Sequence, residues 1–160
     1  MGFLAVIAFI LAAWFFFDYH IQERDNPNRN ITLTGTESEF TLKRNRAGHY
    51  VAPGTINGYP VTFLLDTGAT QVSVPAQMGD RLKLIPGYST QVQTANGIIT
   101  VRTTTISELG FGPFIINNVQ ANLNPGMSDS EEILLGMSVL KQLEFTQRGD
   151  TLILRPHATE

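Results

Sequence analysis

In the segment FLLDTGATQVSVP, Phe63 to Pro75, an apolar run ends on one short acid, Asp66. Thr67, Gly68, Ala69 and Thr70 follow before a β-like alternation resumes. An aspartate closing a strand that is apolar on both faces stands where the sheet stops, so its carboxylate can face a cleft while its backbone stays rigid. Thr67 sets a hydroxyl beside it, and Gly68 allows a close turn that a side chain would obstruct. A carboxylate held this firmly suits general acid or base catalysis. The competing structural reading is an Asx turn at a strand end, completed by Thr-Gly. A second apolar run, Ile133-Leu134-Leu135-Gly136, lies roughly 70 residues on and leads into a short helical pattern.

Other chemistries are poorly supplied. The chain has no cysteine, which excludes a disulfide framework, a thiolate nucleophile and a zinc-thiolate site. His20, His49 and His157 are scattered without ligand spacing, so no metal or other cofactor is expected. Asp80, Glu108, Asp129 and Asp150 lie in turn-like or helical contexts without the Asp-Thr-Gly pattern. A net charge of -3 gives no basic footprint, and no nucleic-acid partner is expected.

The elements that must position Asp66 read as short strands and tight turns from Phe40 onward. HYVAPGTI and YPVTFLL flank Asn57-Gly58, a pair suited to a type I′ hairpin turn, and the second arm delivers Asp66. STQVQTA and IITVRTTTI flank Asn96-Gly97 in a longer, more polar hairpin. VQANL reads as a strand after the bend LGFGPF, and EFTQ and TLILRP flank Arg148-Gly149-Asp150 in a last hairpin. Helical signals occur in PAQMGDRL and in MSVLKQL after Gly136. The pattern predicts one all-β barrel or sandwich with one or two short helices.

FLLDTGAT, the hairpin tip TANG and ILLGMSVLKQLEF, taken in order, resemble the retropepsin-like aspartic proteases, in particular the membrane-anchored bacterial members with a single Asp-Thr-Gly. The resemblance covers roughly residues 48 to 156. It implies an all-β, closed-barrel acid-protease fold of one lobe and an aspartic-type endopeptidase acting on protein or peptide substrates. Asp66 would be catalytic, and Thr67 and Gly68 would support its loop. Thr94, Ala95, Asn96 and Gly97 would form a flap, and Leu134, Leu135 and Gly136 would brace the active-site loop. That chemistry needs two carboxylates sharing one proton. A chain with one such motif would therefore work as a homodimer, with Asp66 of each copy meeting across a two-fold axis. TLILRP is a candidate strand for the dimer sheet. The flap has one glycine where the viral enzymes are glycine-rich.

The same residues admit other readings. LLDTGATQVSV fits the phosphate loop of actin-type kinases, but that fold needs two large α/β domains for which the chain lacks length and helices. A catalytically silent, dimeric peptide-binding module on the same fold is the non-enzyme alternative. Arg148-Gly149-Asp150 reads as a hairpin turn rather than an integrin ligand, and Asn30-Ile31-Thr32 is a short sequon of common type.

MGFLAVIAFILAAWFFF, residues 1 to 17, has no charge and no proline, and as a helix would be about 25 Å long. No basic residue precedes it and no small-x-small cleavage site follows, which favours an uncleaved anchor over a signal peptide. The expected organisation is an anchor in the lipid bilayer through residues 2 to 17, a polar tether over 18–38, a protease domain over 39–156 and a tail over 157–160. Arg24 and Arg29 lean toward a cytoplasmic domain by the basic-residue rule, whereas the anchored family implies a bacterial inner-membrane protein with a periplasmic domain.

Overall fold

A computed structural model describes residues 2–31, 39–95 and 97–157. Asn96 of the expected flap, part of the expected tether and the last three residues lie outside this set. After an N-terminal helix, α1 (Gly2–Asp25), the domain is almost entirely strand: β1 (Phe40–Lys43), β2 (Val51–Ile56), β3 (Tyr59–Leu65), β4 (Val72–Pro75), β5 (Ser89–Thr94), β6 (Gly97–Phe111), β7 (Phe114–Asn124), β8 (Glu132–Leu135), β9 (Leu143–Arg148) and β10 (Thr151–Pro156). The two helical signals shrink to a 3-10 turn at Ala76–Met78 and a single α turn, α2 (Met137–Leu140).

The short turns form where the sequence offers residues that accept positive φ. Asn57 (φ 50°) and Gly58 (φ 80°) join β2 to β3 in a type I′ geometry, closing on the pair Ile56 and Tyr59. β5 and β6 pair antiparallel down to Thr94 and Gly97, and β9 and β10 pair antiparallel across Gly149-Asp150. β6 runs further than its turn residues suggest. LGF stays in the strand, and the chain reverses only at Gly112-Pro113.

Two sheets result. One has the order β1-β10-β9, and the other β2-β3-β8-β4-β7-β6-β5 with an added β2–β6 pairing. That pairing curls the larger sheet toward a barrel. The closed barrel expected from the sequence is not strictly formed, because β4 and β8 meet at one pair only, Ser73 with Leu134. The loop from Asp66 to Gln71 leads into β4 just before this pair, and is held by Met137 and Ser138 beyond the end of β8.

Inside lie Phe63, Phe111, Ile106, Leu109, Ile133 and Leu135, all fully buried, with Leu42 and Leu154 joining the small sheet to the same core. Phe111 stands edge-on to both Phe40 (5.2 Å) and Phe63 (5.8 Å), a favoured aromatic geometry.

α1 is long and apolar enough to cross a membrane, and most of its side chains from Val6 to Phe17 are exposed. The helix continues through the polar residues 18 to 25 that the sequence placed in a tether. Its end is fastened to the domain: Arg46 donates its backbone N–H to Arg24 O at 3.2 Å, and Asn45 Nδ2 donates to Asp25 O at 3.0 Å. Asn28 is buried and acts as an internal clip. Its Nδ2 donates to Lys43 O (2.8 Å) and Val51 O (2.7 Å), while its Oδ1 accepts from Lys43 N (2.8 Å).

Candidate active site

β3 and β8 run parallel, with Phe63 beside Ile133 and Leu65 beside Leu135, so two apolar strands end together. Asp66 emerges at that shared end, half-buried, with its N–H donated to Leu135 O at 3.2 Å. Its Oδ1 accepts the Gly68 N–H at 2.8 Å, and Ala69 N–H returns to Asp66 O at 3.2 Å. One carboxylate oxygen is thereby fixed by the loop itself. Thr67 and Gly68 are exposed beside it.

The Leu134, Leu135, Gly136 element lies directly beneath the loop. Met137 N–H donates to Ala69 O (2.8 Å) and Ser138 N–H to Thr70 O (3.0 Å). A Cβ on Gly136 would strike the Gln71 carbonyl oxygen and come within 2.7 Å of Ala69 O, so the glycine is needed for this close approach. Ser138 adds a side-chain tie the motif did not reveal: its Oγ accepts Val72 N–H at 3.1 Å and donates to Gln120 O at 3.0 Å.

The hairpin that carries Thr94, Ala95 and Gly97 projects from the edge of the large sheet. Thr94 Oγ1 donates to Gly97 O at 2.8 Å, Gly97 takes φ 114°, and Ile98 is exposed. Two residues beyond Gly97, Ile99 Cδ1 would lie 3.5 Å from a Cβ on Gly126, so the β6 arm touches the turn Pro125–Met127 near the hairpin tip. That turn hangs from a buried polar network that sequence reading missed. Ser73 Oγ donates to Asn122 Oδ1 (2.9 Å) and accepts from Asn124 Nδ2 (3.1 Å), while Asn124 Oδ1 accepts from Gly126 N–H (2.8 Å). Gln77 Nε2 reaches Ser128 O at 2.9 Å and secures the loop that follows. In the sequence the network shows only as asparagines, Asn122 and Asn124, within the strand-like run VQANLN.

Neither of two surface grooves, of about 720 and 360 Å³, is lined by Asp66. One chain presents a half-buried carboxylate held by its own loop. Among the described residues, no group of three or more His, Cys, Asp or Glu is placed to hold a metal ion.

The family model described as "gag-polyprotein putative aspartyl protease" matches residues 52–142, which carry the Asp66 loop, the β5–β6 hairpin and the Gly136 brace. A Sinorhizobium sp. relative, "Uncharacterized protein in cobV 5'region", is 30% identical over 135 residues, covering 81% of this chain, and the alignment spans 58% of that relative's length. Among solved structures, a retropepsin-like aspartic protease from Rickettsia conorii superposes with TM-score 0.64 at 27% identity, over 74% of this chain and 90% of that one. EIAV protease complexed with an inhibitor superposes with TM-score 0.48 at 21% identity, over 62% and 92%. With the matched segment holding the aspartate loop, its brace and the hairpin, the chain belongs to the retropepsin-like aspartic protease family.

Proposed function

We propose that the chain is a membrane-anchored aspartic endopeptidase whose catalytic dyad forms when Asp66 of two copies meets across a two-fold axis. The observation that carries this is the Asp66 carboxylate, fixed by Gly68 N–H at the end of paired β3 and β8 and without a second Asp-Thr-Gly in the chain. Two carboxylates in contact share one proton, because like charges so close cannot both ionise easily. The ionised one removes a proton from water as the water oxygen bonds to the peptide carbonyl carbon, and the protonated one gives its proton to the carbonyl oxygen. Collapse of the tetrahedral intermediate breaks the C–N bond as the leaving nitrogen takes a proton from one carboxyl group and a hydroxyl of the intermediate gives its proton to the other, which restores the shared-proton dyad.

In this reading Thr67, exposed on the loop, bonds across the axis, and Gly68 holds the carboxylate. Leu134, Leu135 and Gly136 brace the loop from below. Thr94 to Gly97 close over an extended peptide and contribute backbone hydrogen bonds. Residues 2–17 lie in the bilayer, the domain over 39–156 carries the chemistry, and 157–160 form a tail. The apolar helix α1 supports a membrane location; a bacterial inner membrane with the domain on the periplasmic side completes this reading, and a C-terminal fusion reporter would test it.

The Gly68 to Asp66 bond is also what a purely structural Asx turn would make, which keeps a silent peptide-binding module as the second reading. Full-length protein and Asp66→Asn, assayed on a quenched-fluorescent peptide library, separate the two. Loss of cleavage by about 10³-fold in Asp66→Asn is expected for a dyad member. Equal cleavage in both proteins overturns the protease, and bound but uncleaved peptide in both favours the binding module.

A further inference from the structure

The three-stranded sheet has an order that changes which strand can meet a second copy. β10, TLILRP, has β1 on one side and β9 on the other, so it has no free edge for a partner. TLILRP is therefore an inner strand of this sheet, and contact with a second copy falls to an edge strand. Among the described residues the edges of this sheet are β1 and β9, and β9 is the one that starts three residues after α2, the turn that braces the Asp66 loop. We propose that the β9 edge joins the two copies, giving a continuous sheet β1-β10-β9 followed by the partner's β9-β10-β1, centred on Thr146. The proposal rests on the dimeric reading of the Asp66 site and specifies its interface.

Backbone parity supports it. The two-residue turn at Gly149-Asp150 (Gly149 φ 59°) closes on Arg148 and Thr151, and the closing pair of such a hairpin exchanges both hydrogen bonds. Arg148, Thr146 and Glu144 therefore direct their N–H and C=O groups to β10. Gln147, Phe145 and Leu143 direct theirs to the open edge, where unpaired strand groups invite another strand.

Charge selects the register. With the axis at Thr146, Phe145 bonds through its backbone to the partner's Gln147, and Glu144 stands opposite the partner's Arg148 in a close, non-hydrogen-bonded pair, twice over by symmetry. Moving the axis to Gln147 would set Glu144 against the partner's Asp150, two like charges. Moving it to Phe145 would leave Arg148 opposite the partner's Gln142. Within its own chain Arg148 has no ion pair among the described residues, while Glu144 has His157 Nδ1 at 3.9 Å. Phe145 is 48% exposed on the strand's rim, an apolar ring that a partner strand would cover.

The chain has no cysteine, so one engineered at the axis reports directly. Full-length protein in detergent micelles would be tested as Thr146→Cys, with Thr41→Cys on the opposite edge, β1, as the control. Oxidation is expected to give a disulfide-linked dimer with Thr146→Cys and little with Thr41→Cys. Arg148→Glu and Glu144→Arg should each weaken dimerisation about tenfold by sedimentation, and the double reversal should restore it. A dimer that cross-links through Thr41→Cys alone, or that ignores both charge reversals, overturns this interface and leaves the dimeric enzyme standing. A full-length chain that stays monomeric at every concentration while cleaving peptide overturns the dimeric reading itself.

Discussion

Asp66 is held by backbone rather than by other side chains: its oxygen is fixed by Gly68 N–H, and its loop is fixed by Met137, Ser138 and the space at Gly136. Substitutions beneath the loop should therefore be felt at the carboxylate. Gly136→Ala forces a methyl group into two carbonyl oxygens of the rigid loop, and a loss of about 3 kcal/mol is expected, read as a lower urea midpoint with an unchanged slope. Ser138→Ala leaves Val72 N–H and Gln120 O without their shared partner and should cost about 1–2 kcal/mol. Because Ser138 lies off the chemistry, peptide cleavage per folded molecule should fall less than stability does. The Asp-Thr-Gly and Leu-Leu-Gly patterns were legible because each is a run of adjacent residues with one local geometry. Ser138 was not, because its partners Val72 and Gln120 are distant in sequence and its hydroxyl carries no local signature.

At the level of elements, the hairpins followed the sequence wherever a turn depends on residues that accept positive φ, as at Asn57-Gly58 and Gly149. The parallel pairings β3–β8 and β4–β7, which place Asp66, join segments about 50 to 70 residues apart and leave no such local mark. β6 was underestimated for a related reason. Gly110 looks like a breaker, yet it is paired in the ladder on both sides, with Ile115 and with Thr55. The polar network of Ser73, Asn122 and Asn124 couples the strand after the Asp66 loop to the turn Pro125–Met127 that touches the hairpin arm at Ile99. Asn124→Ala removes both the bond to Ser73 and the cap on Gly126 from a buried site. A loss of about 2 kcal/mol is expected, together with faster amide exchange at residues 125–130 and 97–100 than in β1–β10. Exchange that accelerates uniformly would show that the network stabilises the whole domain and does not specifically hold that turn.

For the whole molecule, the junction between helix and domain decides how the protein may be cut and how the domain is carried. A flexible tether ending at residue 38 would make the anchor dispensable to folding. Instead Asn28 supplies three hydrogen bonds to Lys43 and Val51 from a site only 2% exposed, and Ile31 packs on the core. A soluble fragment beginning at Glu39 would leave Lys43 N–H, Lys43 O and Val51 O without these partners, whereas one beginning at Asn26 would retain them. The shorter fragment is expected to be less stable by about 2–4 kcal/mol, and Asn28→Ala in the longer one should reproduce much of that loss. Chemical unfolding of the three proteins at one fixed concentration measures this, since dimerisation would shift any midpoint with concentration. Equal midpoints for the fragments would return residues 26–31 to the role of a passive linker. On the proposed reading of a membrane-anchored dimer, a rigid junction would let the bilayer both concentrate the copies and restrict their orientation, so the full-length chain should dimerise more tightly than the Asn26 fragment by more than tethering through a flexible linker provides. Inserting a Gly-Ser segment between Asp25 and Asn26 should remove that extra part and keep the rest.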